Sequence, residues 1–268
     1  MRTTSNPAFR NLPAGGGGYG YAGFNSAPAS FPGAAPRYGG ALPTTSRPMT
    51  VDDVVTKTGI TLAVLAATGV ATYVSGLWLL ALPAALVGFA LALVIIFKKL
   101  VSPPLILAYA AVEGVFLGGI SGVIGAQAYR WTGSSSIVPE AIAGTLLVFA
   151  GMLVVYKTGA VKVTPRFTKW LTGALIGVVG LMLVNLIANF FVPGGLHLRD
   201  GGPLAIVFSL VCIGIAAFSF LVDFDTADQA IRDGAPEKTA WYIAFGLTVT
   251  LVWLYLEILR LLSYFESK

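Results

Sequence analysis

The sequence predicts an all-α protein, a polytopic membrane bundle of seven transmembrane helices. Three observations predict it. Only 11% of the 268 residues are charged and 56% are hydrophobic, whereas a soluble domain carries about 25% charge. The mean hydropathy is +0.81. Seven apolar runs, at 57–76, 77–97, 104–128, 138–156, 170–192, 203–222 and 240–264, each approach or exceed the roughly 18 residues that a helix needs to cross a hydrocarbon core.

The first fifty residues differ from the rest. GGGGYGYAGF and scattered prolines show no periodicity, and the stretch has four arginines and no acidic residue. It cannot bury enough apolar surface to offset chain entropy. We therefore expect residues 1–50 to form a disordered cytoplasmic tail and 51–268 to form the membrane domain. No apolar core of signal-peptide length follows the tail's basic residues. A short Ser75-Gly76 turn separates the first two spans.

The third span, AYAAVEGVFLGGISGVIG, carries Glu113 about three residues, or roughly 4–5 Å, from its midpoint. Tyr109, Glu113, Leu117 and Ser121 share one helical stripe, and Gly114, Gly118, Gly122 and Gly125 line another. Small residues at that spacing let helices approach closely. A carboxyl at such depth has two readings. It is a protonated acid bonded to a neighbouring helix, since desolvation favours the neutral form, or it is a proton or cation site.

In the fifth span, Asn185 and Asn189 are four apart and suit bonding across helices. His197 follows in a glycine-rich loop. Cys212 lies mid-span in the sixth run as a small buried filler, and one cysteine permits no disulfide within the chain. The sixth run ends in FSFLVDFDTADQAIRDG, which places Asp223, Asp225, Asp228 and Asp233 within eleven positions. On a helix Asp228 and Arg232 can pair, Asp225 and Asp228 repel, and Asp223 is rotated about 200° from Asp225. This stretch reads either as a charged boundary or as a pH- and cation-sensitive element. An EF-hand is excluded: counted from Asp223, position six is Asp228 where glycine is needed, and position twelve is Gly234 where glutamate is needed. In the seventh span, Glu257 and Arg260 are three apart and can pair on one face.

Cationic residues near span ends favour the cytoplasmic side. With the tail inside, Arg47, Lys57, Lys98, Lys99, Lys157, Lys162, Arg166, Lys169, Arg232 and Lys238 face the cytoplasm, and Arg130, Arg199, Arg260 and Lys268 face outward. Ten against four places the amino terminus in the cytoplasm and the carboxyl terminus outside. Walker-type phosphate loops, clustered His/Cys ligands and a span-seven lysine are all missing from the sequence, so no cofactor or metal is expected. Nucleic acid is not an expected partner, because the excess positive charge is spent on topology.

The glutamate helix AVEGVFLGGISG, the FDTADQAI span exit and the closing WLYLEILRLLSYF, in a seven-span chain, resemble the Bax inhibitor-1 family. The SNPAF opening before a glycine-rich stretch looks like its bacterial branch. The resemblance covers about residues 50–265. It implies six spans around a central seventh and a pH-sensitive calcium leak in a bacterial plasma membrane. In that family an acid at the end of span six shares a proton with one in span seven. Carried over, the span-six acid is Asp225, and Glu257 is the one carboxylate in the span-seven run. Glu257 lies about 25 Å along its helix from Ala240, so it cannot reach Asp225. Either Thr250 or Val252 occupies the matching depth, or the acid pair is absent.

Three functions follow as expectations. The first is a passive, proton-regulated cation pathway permeable to calcium or protons, with Glu113 at mid-membrane and Asp223 and Asp225 at an acidic inner mouth. The second is an intramembrane enzyme using Ser121 of Gly119-Ile120-Ser121-Gly122, which is disfavoured because the single histidine lies outside every span. The chain is thus expected not to be an enzyme. The third is a regulator that binds a membrane protease or stress-response partner, with KTGAVKVTPRFTK at 157–169 as a docking segment.

Overall fold

The computed structural model describes residues 47–133 and 136–266. Seven helices account for nearly all of them: α1 (Val51–Ser75), α2 (Ala81–Lys98), α3 (Pro103–Thr132), α4 (Ile137–Thr158), α5 (Pro165–Phe191), α6 (Pro203–Arg232) and α7 (Thr239–Glu266). All seven are long and apolar enough to cross a membrane. Of the tail expected over 1–50, residues 1–46 lie outside the described residues.

Local chemistry sets the ends. Helix α1 starts six residues before the expected apolar run, because Thr50 and Asp53 form a reciprocal capping box that satisfies first-turn N–H groups. Proline opens α3, α5 and α6, where its missing N–H costs nothing. Helix α6 spans 30 residues, about 45 Å at 1.5 Å per residue, and so outruns a hydrocarbon core of about 30 Å. The sequence reading placed a span exit after Val222, but the helix continues through every aspartate up to Asp228. Asp223 therefore lies about 13 Å inside the helix end rather than at the boundary.

Helix α7 is the centre. It packs against α1, α3, α4 and α6, while α2 rests chiefly on α3 and α5 on α6. Its Leu247, Leu251, Leu254 and Ile258 join Phe220 and Phe224 of α6 in the main core. Phe149 of α4 meets both rings edge-on, with centroids 5.2 and 5.6 Å away. Helix α5 instead leaves Ile176, Val179, Leu183, Ile187 and Phe190 exposed, as a lipid-facing helix does.

The tightest contact joins α3 to α1. A Cβ built on Gly114 would lie 2.2 Å from the Leu65 carbonyl oxygen, and one on Gly118 would lie 2.2 Å from that of Gly69. The small-residue stripe read from the sequence is therefore a backbone-to-backbone contact. It continues onto Trp78, whose indole nitrogen would sit 2.2 Å from a Cβ on Gly122. Gly125 is roomier, with its nearest neighbour at 3.5 Å.

An ionic cluster ties the bundle together where α1 and α7 begin. Arg47 meets Asp53 at 2.7 Å and Glu237 at 3.4 Å, and Lys57 meets Glu237 at 2.9 Å. The Met49 amide donates to the Ala235 carbonyl at 2.8 Å, and the Glu237 amide donates to the Arg47 carbonyl at 3.0 Å. Residues 47–49 thus form a short antiparallel bridge to the α6–α7 connection.

Gly118→Ala will force α3 away from α1 and lower stability by about 1–3 kcal/mol, the usual cost of overpacking. Gly151→Ala on α4, where nothing lies within 4 Å, will be neutral or stabilising. Thermal unfolding of the detergent-solubilised variants checks both outcomes.

Candidate functional site

Three helices line a half-open cavity of about 350 Å³. Helix α5 contributes Thr168, Leu171, Thr172 and Leu175; α6 contributes Ser219, Val222 and Asp223; α7 contributes Val249, Thr250 and Trp253. The spacing explains the lining, because residues three and four apart share a helix face. Asp223 stands nine residues before the end of α6 and Thr250 eleven after the start of α7. Both lie about 13–17 Å from the same end of the bundle. Thr168 and Thr172, close to the start of α5, carry the lining toward that end.

Four hydroxyls and one carboxylate stand among an otherwise apolar lining. Thr250 Oγ1 donates to Asp223 Oδ2 at 2.7 Å. The other three hydroxyls donate within their own helices: Thr168 to Thr164 O at 3.3 Å, Thr172 to Thr168 O at 2.8 Å, and Ser219 to Ile215 O at 2.9 Å. A hydroxyl has one hydrogen and two lone pairs. Each of these oxygens is left as an acceptor, and Asp223 is the one carboxylate among the lining residues.

The other aspartates turn elsewhere. Asp225 accepts from Gln229 Nε2 at 2.5 Å, one turn further along α6. Asp228 accepts from the Tyr156 hydroxyl of α4 at 3.2 Å and pairs with Arg232. The acid bonded to α7 is therefore Asp223, whereas Asp225, to which the resemblance gave that position, bonds within α6. Two residues of helix turn the side chain by about 200°, so both cannot face α7.

Glu113 does not join them. Its side chain is 9% exposed, and Oε1 would lie 3.1 Å from a Cβ on Gly88 of α2. Tyr109, one turn earlier on the same face, interacts with this carboxyl and packs edge-on against Phe245 of α7 at 4.9 Å. Glu113 is absent from the residues lining the Asp223 cavity. Glu113 and Asp223, expected along one pathway, thus share no cavity: α3 turns Glu113 toward α2, and the cavity lies against α5.

Glu257 belongs to a third location. It is 1% exposed and binds Arg199 at 3.2 Å as well as Arg260 at 3.1 Å. The Arg260 pair was expected. Arg199 was not, because it reaches Glu257 across 58 residues from the connection between α5 and α6. The Arg199 guanidinium also lies over the Phe208 ring, 5.9 Å from its centroid. In the same connection His197 pairs with Asp200 at 2.7 Å. The Gly202 amide and His197 hold the Asp200 carboxyl below its ordinary range. Asn185 and Asn189 bond to the backbone of this connection, accepting from Leu196 N and Gly194 N, rather than across helices. Ser121 bonds to the Leu117 carbonyl and to the Tyr255 hydroxyl at 2.7 Å, and His197 is not its partner.

The model of the family described as Bax inhibitor 1 like matches residues 6–267. The chain belongs to that family. No curated protein matches the chain. The match reaches well into the tail, beyond the 50–265 over which the resemblance was read. Within this Bax inhibitor 1 like chain, the α7 residue bonded to the span-six acid is Thr250. That was one of the two positions the sequence placed at the matching depth.

Glu257→Leu will strand Arg199 and Arg260 at the far end of α7. Loss of one partner from a buried ion pair costs about 3–5 kcal/mol, so this variant will melt well below wild type in detergent. Asp225→Asn, at a half-buried residue bonded within its own helix, will not.

Proposed function

We propose that this Bax inhibitor 1 like protein is a passive, proton-regulated cation leak that carries out no catalysis. The observation that carries the reading is the Asp223–Thr250 bond on the wall of a cavity that the hydroxyls of Thr168, Thr172 and Ser219 also line. Hard cations take oxygen ligands, and a carboxylate in a pore favours cation over anion entry. A proton on Asp223 removes the charge that a cation would meet, so one site supplies both permeation and regulation. Calcium and protons are the candidate permeant ions carried over from the family resemblance.

In this reading the protein lies in a bacterial plasma membrane. The Thr168 end of the cavity faces the cytoplasm, because Lys157, Lys162, Arg166 and Lys169 flank the start of α5 and cationic residues favour that side. The amino terminus is then cytoplasmic and the carboxyl terminus outside. Residues 47–49, just ahead of α1, dock on the α6–α7 connection at this cytoplasmic end.

A specific observation also favours a second reading. Glu113 is packed between α3 and α2 rather than into the cavity, which suits a structural acid in a non-transporting regulator. Such a protein would bind a membrane protease or stress-response partner through the cationic 157–169 segment.

Purified protein in liposomes will release trapped cations faster than protein-free liposomes, and the rate will fall as the pH is lowered. Asp223→Asn, which imitates the protonated side chain, will give a low rate with no pH dependence. Asp225→Asn will behave as wild type. Cation release no faster than from protein-free liposomes at any pH would reject the leak and leave the regulator.

A further inference from the structure

We propose that a groove between α1 and α4 holds one acyl chain of a membrane phospholipid. The site lies on a different face of α7 from the Asp223 cavity and does not depend on the leak. The groove has a volume of about 460 Å³, within the range of small-molecule sites. Helices α1 and α4 each pack on α7 but not closely on each other, so it opens between them. Val70 of α1 and Ile142 and Leu146 of α4 stand exposed at its mouth, as the lipid-facing residues of α5 do. The groove is therefore continuous with the surface that the bilayer covers, and its occupant enters from there. Leu117 and Ser121 of α3 and Val252 and Tyr255 of α7 form its floor, and all four are buried.

Length and chemistry identify that occupant. Along α1 the lining runs from Leu62, at mid-helix, to Tyr73, two residues before the helix ends; on α4 it begins at Val138, the second residue. Leu62 to Tyr73 spans about 16 Å, close to the roughly 15 Å that is half of a hydrocarbon core. The groove thus runs from one membrane surface to the midplane, the depth of a single leaflet. A partner's spanning helix would need a seat along the whole crossing. The wall is hydrocarbon apart from a few hydroxyls, and three of these are already bonded. Ser121 donates to the Leu117 carbonyl at 2.5 Å, so Tyr255 donates to Ser121 at 2.7 Å, and Thr145 donates to the Ala141 carbonyl at 2.7 Å. A methylene chain laid along them leaves no donor stranded. The Tyr73 hydroxyl alone among these has no hydrogen-bond partner among the described residues. It stands with Val138 at the surface end, since both would lie within 4 Å of a Cβ on Gly125. A lipid's ester carbonyl would lie at that depth, where tyrosine meets the interface.

The full chain in vesicles of phosphatidylethanolamine and phosphatidylglycerol tests this, with a trace of phosphatidylcholine that carries a photoreactive diazirine on its acyl chain. After irradiation, the labelled positions are mapped by mass spectrometry. Wild type is expected to take label on Leu117, Val252 and Tyr255, which lipid resting on the outer faces of the bundle cannot touch, as well as on exposed α5. The double variant Ala66→Phe with Ile142→Trp enlarges two exposed lining residues and should fill the groove from its mouth. It is expected to lose the label on α3 and α7 while α5 stays labelled and thermal unfolding in detergent stays near wild type. Label confined to exposed faces in wild type would overturn the site. So would label on Leu117 and Tyr255 that persists undiminished in the folded double variant. Crosslinking of α1 and α4 to a second copy of the chain, in place of lipid, would overturn it in favour of a protein interface.

Discussion

A carboxylate within the hydrocarbon layer has no water to fall back on, so its partners must come from the protein. That constraint organises this molecule. Asp223, Glu113 and Glu257 each sit deep in a helix, and each is answered differently. Asp223 takes a hydroxyl from α7 and faces a cavity. Glu113 lies against a glycine of α2 with Tyr109 beside it. Glu257 is gripped by two guanidinium groups. The placement of α7 makes two of these answers possible, because its Thr250 and Glu257 meet partners from α6 and from the α5–α6 connection.

Most of the fold was legible because hydrocarbon imposes a simple rule on sequence. A helix must be apolar over its whole crossing, and its ends are marked where charge or proline returns. The Ser75-Gly76 turn and the prolines before α3, α5 and α6 are visible by inspection. So is the glycine stripe of α3, since close helix approach demands small residues at four-residue spacing. What could not be read was where a helix outlasts its apolar run. Helix α6 carries Asp223 without interruption because a helical backbone satisfies itself whatever the side chain, and only the packing of α5 and α7 shows that this residue is inside.

The site was legible to one helix turn. The four aspartates of FDTADQAIRD were visible, and so was the fact that Asp223 and Asp225 cannot share a face. Which of the two faces α7 depends on the rotation of α6, and that is set by Phe220 and Phe224 entering the core beside Phe149. Sequence periodicity was weak there, because α6 is apolar nearly all round. Arg199 and the Arg47–Asp53–Lys57–Glu237 cluster were missed for another reason. The contacts of Arg199 with Glu257, and of Arg47 and Lys57 with Glu237, join residues far apart in the chain, and no local spacing marks them.

The two ends of α7 therefore differ in kind. At the Glu257 end, a buried carboxylate faces two fixed positive charges. Changing its ionisation would strand both arginines, so it is suited to holding the α5–α6 connection and α7 in one arrangement. At the Thr250 end, the carboxylate faces a neutral hydroxyl and open volume. A hydroxyl can rotate, and the bond it makes to Asp223 is one that an arriving cation can replace with its own attraction. Of Asp223, Glu113 and Glu257, Asp223 is the one that joins a neutral, exchangeable partner to adjoining open volume.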